Sequence, residues 1–303
     1  MNVVLKINDN QKEELIKYYS ALKDDKKIPY VTMRARNEAG TVITIYDSNK
    51  VMFQGVSADV DAEMWKEKFG VSDSQKKDKE DEKKYHNVNS IGSDEVGTGD
   101  YFGPIVVTAS YVTKEDVCYL DSLGVCDSKE LTDEKIKKIA PLIAKRIYYE
   151  SLILMPNEYN FRHLDNNMNK IKAIMHNKML YKVRHSDKIK NLDYIIVDEF
   201  AREASYYNYL REEKYIQRDI TFMTKAENKN LAVACSSIIS RYIFLREFAK
   251  LSDSVGVLLP KGAGKEADDA GREVVEKFGK DKLNDIAKLN FKNTSRILGT
   301  MIM

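Results

Sequence analysis

The sequence predicts two units of different class: a small α+β domain over residues 1–70 and a larger α/β domain over 86–303, joined by a linker at 71–85. Three observations lead there. At 303 residues the chain exceeds the usual size of a single domain. Its first seventy residues read as a strand, an amphipathic helix, three further strands and a closing helix. The stretch Val71 to Lys84, VSDSQKKDKEDEKK, has no aromatic and one apolar residue, too little to bury, and beyond it strand and helix patterns alternate.

In the first unit, Val3 to Ile7 reads as a strand, and Asn8 to Leu22 as a helix with Leu15, Ile16, Tyr19 and Leu22 on one stripe. Pro29 closes the connection. Val31 to Arg36 alternates, Glu38-Ala39-Gly40 turns, Thr41 to Tyr46 alternates again, and Val51 to Gln54 follows as a third strand before the helix Ala58 to Phe69. Arg34 and Arg36, two apart on a strand, share one sheet face. Such a pair suits the wet face of a half-buried sheet, and it equally suits contact with phosphates.

The second unit opens on Ile91 to Pro104, IGSDEVGTGDYFGP, where Asp94 and Glu95 run into Gly97-Thr98-Gly99 and Gly103-Pro104. A segment of β character precedes the pair and the β-branched run Ile105 to Val112 follows it, so a hairpin is expected. Successive strand residues point to opposite faces, so the two carboxylates converge on a cation only if the chain bends there, as the glycines allow. An exposed Asp-Glu-Gly turn is the plainer alternative.

Further on, Lys114 to Leu123 reads as a helix, Val125 to Lys129 as a loop, and Thr132 as the cap of a helix from Asp133 to Ile147 with acids in its first turn. Tyr148 to Met155 is a strand that Pro156 ends. In the helix Asn169 to Val183, Asn169, Lys172 and His176 fall on one side. His176 reads as a helix-surface residue, since nothing in the sequence places a second ligand near it. Tyr194 to Val197 is a continuous apolar run ending in Asp198 and Glu199, the pattern of a strand that delivers a carboxylate to the sheet edge where ligands bind, although an acid there also caps a following helix. After the strand Ile220 to Met223, Glu227 stands at the start of a helix running from Asn228 to about Lys250, where the helix dipole favours a carboxylate whatever its function. There Ala232, Ala234, Cys235, Ser236 and Ser237 permit close approach to a sheet.

Charge is almost balanced, 49 Lys plus Arg against 47 Asp plus Glu, for a net +2. That argues against a protein that coats nucleic acid by charge alone, but not against one with an acidic metal centre and basic residues elsewhere. Cys118, Cys126 and Cys235 form no CxxC pair and read as reduced, buried thiols. No segment approaches about 18 continuous apolar residues, so a soluble protein with no membrane partner is expected; the cysteines place it in the cytoplasm, and it is expected to be a monomer. Pro260 to Lys265 fails as a phosphate loop because Leu259 and Glu266 occupy its required glycine and hydroxyl positions, and Gly97 to Gly103 misses the dinucleotide pattern by one residue. There is no HExxH, GxSxG or Cys-His signature.

Ile91 to Pro104 resembles the opening signature of the type 2 ribonucleases H, and Val96 to Pro104 looks like their ribonuclease HIII branch. In ribonuclease HII an arginine usually stands between the two glycines, where this chain has Thr98. Asp127-Ser128-Lys129 resembles a loop of the same family, and it equally suits a capping turn. Met168 to Asn177 and Thr224 to Lys229 look like ribonuclease HIII, in which Glu227 replaces an aspartate of ribonuclease HII.

The resemblance covers essentially the whole chain. It implies a TATA-box-binding-protein-like domain that grips the substrate, then a ribonuclease H-like domain with a mixed central sheet. It further implies endonucleolytic hydrolysis of RNA in RNA–DNA hybrids with 3′-hydroxyl and 5′-phosphate ends. By the same resemblance Asp94, Glu95, Asp198 and Glu227 are catalytic and hold Mg2+, or Mn2+, in a two-ion mechanism. Gly97, Thr98, Gly99, Ser128, Lys129, Arg34 and Arg36 contact substrate. The alternative is a hybrid- or DNA-binding protein on this fold that has lost catalysis.

Overall fold

The computed structural model describes residues 2–24, 28–55, 57–69, 80–125 and 131–299. The chain divides into Met1–Glu80 and Asp81–Met303. In the first unit the elements are β1 (Asn2–Lys6), α1 (Asp9–Tyr19), β2 (Val31–Arg36), β3 (Val42–Tyr46), β4 (Lys50–Gln54) and α2 (Ala58–Lys68). The strands form an antiparallel sheet in the order β1-β4-β3-β2. Asn8 starts α1 with a reciprocal capping box to Gln11.

Alternation decides the two faces of this sheet. Met33, Ala35, Ile43, Ile45, Val51 and Phe53 point at the helices and pack with Leu15, Tyr19, Ala62 and Trp65, and the Trp65 indole donates to the Tyr19 hydroxyl at 2.8 Å. This fits the TATA-box-binding-protein-like domain. Leu22, expected on the buried stripe, lies in a separate 3-10 turn and is exposed, because α1 ends at Tyr19.

The second unit contains β5 (Ser90–Val96), β6 (Ile105–Val112), α3 (Val117–Ser122), α4 (Asp133–Arg146), β7 (Tyr148–Leu154), α5 (Pro156–His163), α6 (Met168–Arg184), β8 (Tyr194–Asp198), α7 (Glu203–Tyr209), β9 (Ile220–Met223), α8 (Leu231–Val255), α9 (Lys265–Phe278), α10 (Leu283–Ile286) and α11 (Lys292–Leu298). Its sheet has the order β7-β6-β5-β8-β9. The β7-β6-β5 pairs are antiparallel and the β5-β8-β9 pairs parallel, which is the mixed sheet of the ribonuclease H-like fold. Pro156 does end β7, and it also starts α5 from the first-turn position that tolerates proline. Residues 80–85, assigned to the linker from sequence, are helical, with Tyr85 buried against Tyr194.

Helices cover both sheet faces. Ile91, Ile105, Val107, Ile195 and Val197 pack toward α6, whereas Val106 and Val112 pack toward α4 and α8. The small residues of α8 seat that helix directly on β5. A β-carbon at Gly92 would lie 2.3 Å from the Val233 nitrogen, and the Ser236 and Ser240 hydroxyls donate to the Gly92 and Asp94 carbonyls. Cys235 is buried in this contact. Cys118, by contrast, is exposed on α3, which corrects the reading of buried thiols. Among the described residues no helix is long and apolar enough to cross a membrane.

Candidate active site

Strand register builds the site. The parallel β5-β8 ladder ends at Ser93 opposite Val197, so Asp94 and Asp198 are the next residues on neighbouring strands, at the sheet edge where α/β folds bind ligands. Asp198 pairs with Met223 at the end of β9. The chain then turns through the 3-10 helix Ala226–Asn228, which carries buried Glu227. The Ala226 amide donates to Asp198 Oδ1 at 3.0 Å, which ties the Glu227 turn to the end of β8.

The expected bend at Asp94-Glu95 is absent. The β5-β6 ladder runs without a register shift through Asp94 opposite Thr108, Glu95 opposite Val107 and Val96 opposite Val106. The adjacent carboxylates therefore leave opposite faces and meet different chemistry.

Asp94 faces α8. Its Oδ1 accepts the Glu95 amide at 2.9 Å, and the Ser237 hydroxyl donates to it. Burial, with Glu95 and Asp198 alongside, pushes the Asp94 carboxyl up to about 7. Glu95 faces α6, where Lys172 Nζ lies 2.5 Å from one carboxylate oxygen and His176 Nε2 lies 2.9 Å from the other. Burial alone would raise the Glu95 carboxyl, but His176 and Lys172 together hold it well below the usual carboxylate range.

The other side of the His176 ring, Nδ1, is 2.7 Å from the Ser93 hydroxyl, and the ring stacks on Phe200. His176 is thus fully buried rather than on the helix surface. The sequence carried part of the signal, the i, i+4 spacing of Lys172 and His176 and the i, i+2 spacing of Ser93 and Glu95. Only the folded sheet brings these pairs together across 81 residues.

The donor set fits a hard divalent cation: every candidate ligand atom is a carboxylate oxygen, and the raised Asp94 carboxyl marks a place short of positive charge. Among the described residues no three His, Cys, Asp or Glu side chains already stand around one cation.

The glycines after the pair have different tasks. Gly97 has φ +98° and Gly103 φ +83°. A β-carbon on Gly97 would lie 2.1 Å from the Pro104 carbonyl oxygen, so Gly97 closes the hairpin neck. Gly99 is exposed with open space beside it, and half-buried Thr98 stands between them. The loop is fastened from the C-terminal segment. Tyr101 donates to the Gly262 carbonyl and Gly103 to that of Ile286, and the buried Lys288 ammonium donates to the Gly103 carbonyl at 2.7 Å. Burial lowers the Lys288 pKa to about 7, although Asp100 opposes this.

Arg34 and Arg36 alternate with core-facing Met33 and Ala35 and so lie on the outward face of the first sheet. Arg36 is exposed, and Arg34 pairs with Asp24 at 2.8 Å. Ser128 and Lys129 lie outside the described residues.

Comparison with known proteins gives concordant results. A family model described as Ribonuclease HII matches residues 91–294, and one described as a domain of unknown function (DUF3378) matches residues 2–80. The Ribonuclease HIII of Geobacillus kaustophilus is 41% identical over 288 residues, 93% of this chain and 92% of that protein. That of Lactococcus lactis is 39% identical over 302 residues, 98% of each. The crystal structure of Bst-RNase HIII in complex with Mn2+ has a TM-score of 0.71 and 36% sequence identity, covering 98% of both chains.

Proposed function

Because the chain belongs to the ribonuclease HIII family, we propose that it is a metal-dependent endoribonuclease that hydrolyses the RNA strand of RNA–DNA hybrids, leaving 3′-hydroxyl and 5′-phosphate ends. The observation that carries this reading is the meeting of Asp94 and Asp198 at the ends of neighbouring parallel strands, with Glu95 beside one and the Glu227 turn tied to the other. Asp94, Glu95, Asp198 and Glu227 would hold the divalent ions, Mg2+ or Mn2+. When bound there, a pair of such ions supplies an activated water and stabilises the leaving oxygen.

The chain's own groups position the substrate. The open backbone at Gly99 permits close approach to a sugar edge, where a 2′-hydroxyl separates RNA from DNA. Thr98 adds one neutral hydroxyl, whereas an arginine there would add a charged, multidentate contact. The enzyme therefore cuts consecutive ribonucleotides well and a single ribonucleotide embedded in duplex DNA poorly. Ser128 and Lys129 contact the substrate, and Arg34 and Arg36 grip phosphates. The protein acts as a monomer.

A fluorescent RNA–DNA hybrid incubated with Mg2+, with and without chelator, tests the assignment. Cleavage should require the metal, be lost in Asp94→Asn, and leave 3′-hydroxyl ends. Substantial cleavage by purified Asp94→Asn protein would overturn it. Equal cleavage of a duplex carrying one ribonucleotide would remove the specificity claim alone.

A further inference from the structure

The surroundings of Glu95 are unlike those of a carboxylate kept ready for a metal ion. Both of its oxygens are engaged, by Lys172 at 2.5 Å and by His176 at 2.9 Å. The holders are themselves fixed. His176 is fully buried and tied through its second ring nitrogen to Ser93, two residues back along the same strand. The Lys172 ammonium lies 4.1 Å over the Phe200 ring, two residues beyond Asp198, a position that favours a cation. Lys172 is buried as well, so it has no solvent-exposed task to explain its charge.

The two donors differ in what they can do. His176 is clamped on both sides and acts as a fixed rest for Glu95. Lys172 is a flexible point charge on a four-carbon stem, able to move off one carboxylate oxygen while its aliphatic part stays packed.

We propose that Lys172 is a built-in counter-cation for Glu95. It neutralises the carboxylate and holds it against α6, the face to which the β5 pleat sends it, before metal arrives, and Glu95 joins the metal site only by leaving the Lys172 ammonium. Lys172 is thus a positioning residue that sets the concentration of divalent ion the protein needs. This rests on the assignment of Glu95 as a metal ligand.

The test measures Mn2+ affinity of the full-length protein by the electron paramagnetic resonance signal of the free ion. Lys172→Met should bind Mn2+ on the order of tenfold tighter, since a charge-assisted hydrogen bond no longer competes, and Lys172→Arg should restore the wild-type affinity. In a Glu95→Gln background, Lys172→Met should have no effect. A Lys172→Met effect that persists in that background would mean that Lys172 acts only through space, and would overturn the proposal. So would an unchanged or weaker affinity in folded Lys172→Met.

Should Lys172→Met not fold, the wild-type protein decides. The side-chain ammonium resonance that Lys172→Arg removes from a nitrogen-15 lysine spectrum should shift when Mg2+ saturates the site, and an unmoved resonance would overturn the proposal. An unaltered Mn2+ affinity in Glu95→Gln would instead remove the underlying ligand assignment.

Discussion

Replacing Asp94 with asparagine should abolish cleavage and, without divalent metal, stabilise the protein. Burial, together with Glu95 and Asp198, raises the carboxyl from 3.8 to about 7. Between those two values the folded protein holds a proton that the unfolded chain has released. Wild-type stability therefore falls as pH rises from about 4 to about 7, and the full penalty applies above that. At about 1.4 kcal/mol per tenfold, the penalty is on the order of 4 kcal/mol. Asparagine escapes it but accepts more weakly from Ser237 and the Glu95 amide, leaving a net gain of roughly 1–3 kcal/mol. For a unit of this size that is about 2–12 °C in Tm. Thermal melts of wild-type and Asp94→Asn protein in EDTA at pH 4, 6 and 8.5 should show the variant ahead at pH 8.5 and the gap closing toward pH 4. Adding Mn2+ should raise the wild type and leave the variant behind. A variant no more stable than wild type in EDTA at pH 8.5, or a gap independent of pH, would refute the electrostatic reasoning.

Three further outcomes are expected. With the Lys288 pKa lowered to about 7, the unfolded chain binds a proton above pH 7 that the folded protein lacks. Stability should therefore rise between pH 7 and 9 by up to about 1.4 kcal/mol per pH unit relative to Lys288→Met, and parallel urea-unfolding profiles for the two proteins would contradict this. Gly92→Ala should destabilise by about 3 kcal/mol, because its β-carbon meets the α8 backbone rather than a movable side chain; urea denaturation measures the loss, and a change below about 1 kcal/mol would show that α8 can shift. Replacing Arg34 and Arg36 with alanine should reduce the slope of log hybrid affinity against log salt by roughly 0.9 per lost phosphate contact, and an unchanged slope would mean that the pair is merely solvated.

Much of the fold was legible because its signals are local. Alternation along Val31 to Arg36, the apolar run before Asp198 and the Thr132 cap each name an element without reference to a distant one, and each element is present. The helix Pro156–His163 was missed because its residues carry a weak apolar stripe and its opening proline also reads as a strand stop. At the site, the sequence supplied the acids but not their setting. The glycines that follow Asp94-Glu95 suggest a bend at the pair, yet they act after the ladder ends, at Gly97 and Gly103. The burial of His176 could not be read locally, since the groups it touches, Ser93 and Glu95, lie on a strand more than eighty residues earlier.

An unbent strand under two adjacent carboxylates has a chemical consequence. The pleat sends Asp94 toward α8, where its carboxylate is met by the Ser237 hydroxyl and the Glu95 amide, both neutral donors. It sends Glu95 toward α6, which offers a lysine and a histidine. One carboxylate is left short of positive charge and the other is supplied with it, although they are neighbours in the chain. A bend would have put both on the same side, where two buried carboxylates without a cation repel each other and destabilise the metal-free protein. With the strand straight, Asp94 still feels Glu95 and Asp198, while His176 and Lys172 on α6 keep Glu95 ionised. In the metal-free protein Glu95 thus stays ionised, and the destabilisation is concentrated at its neighbour Asp94.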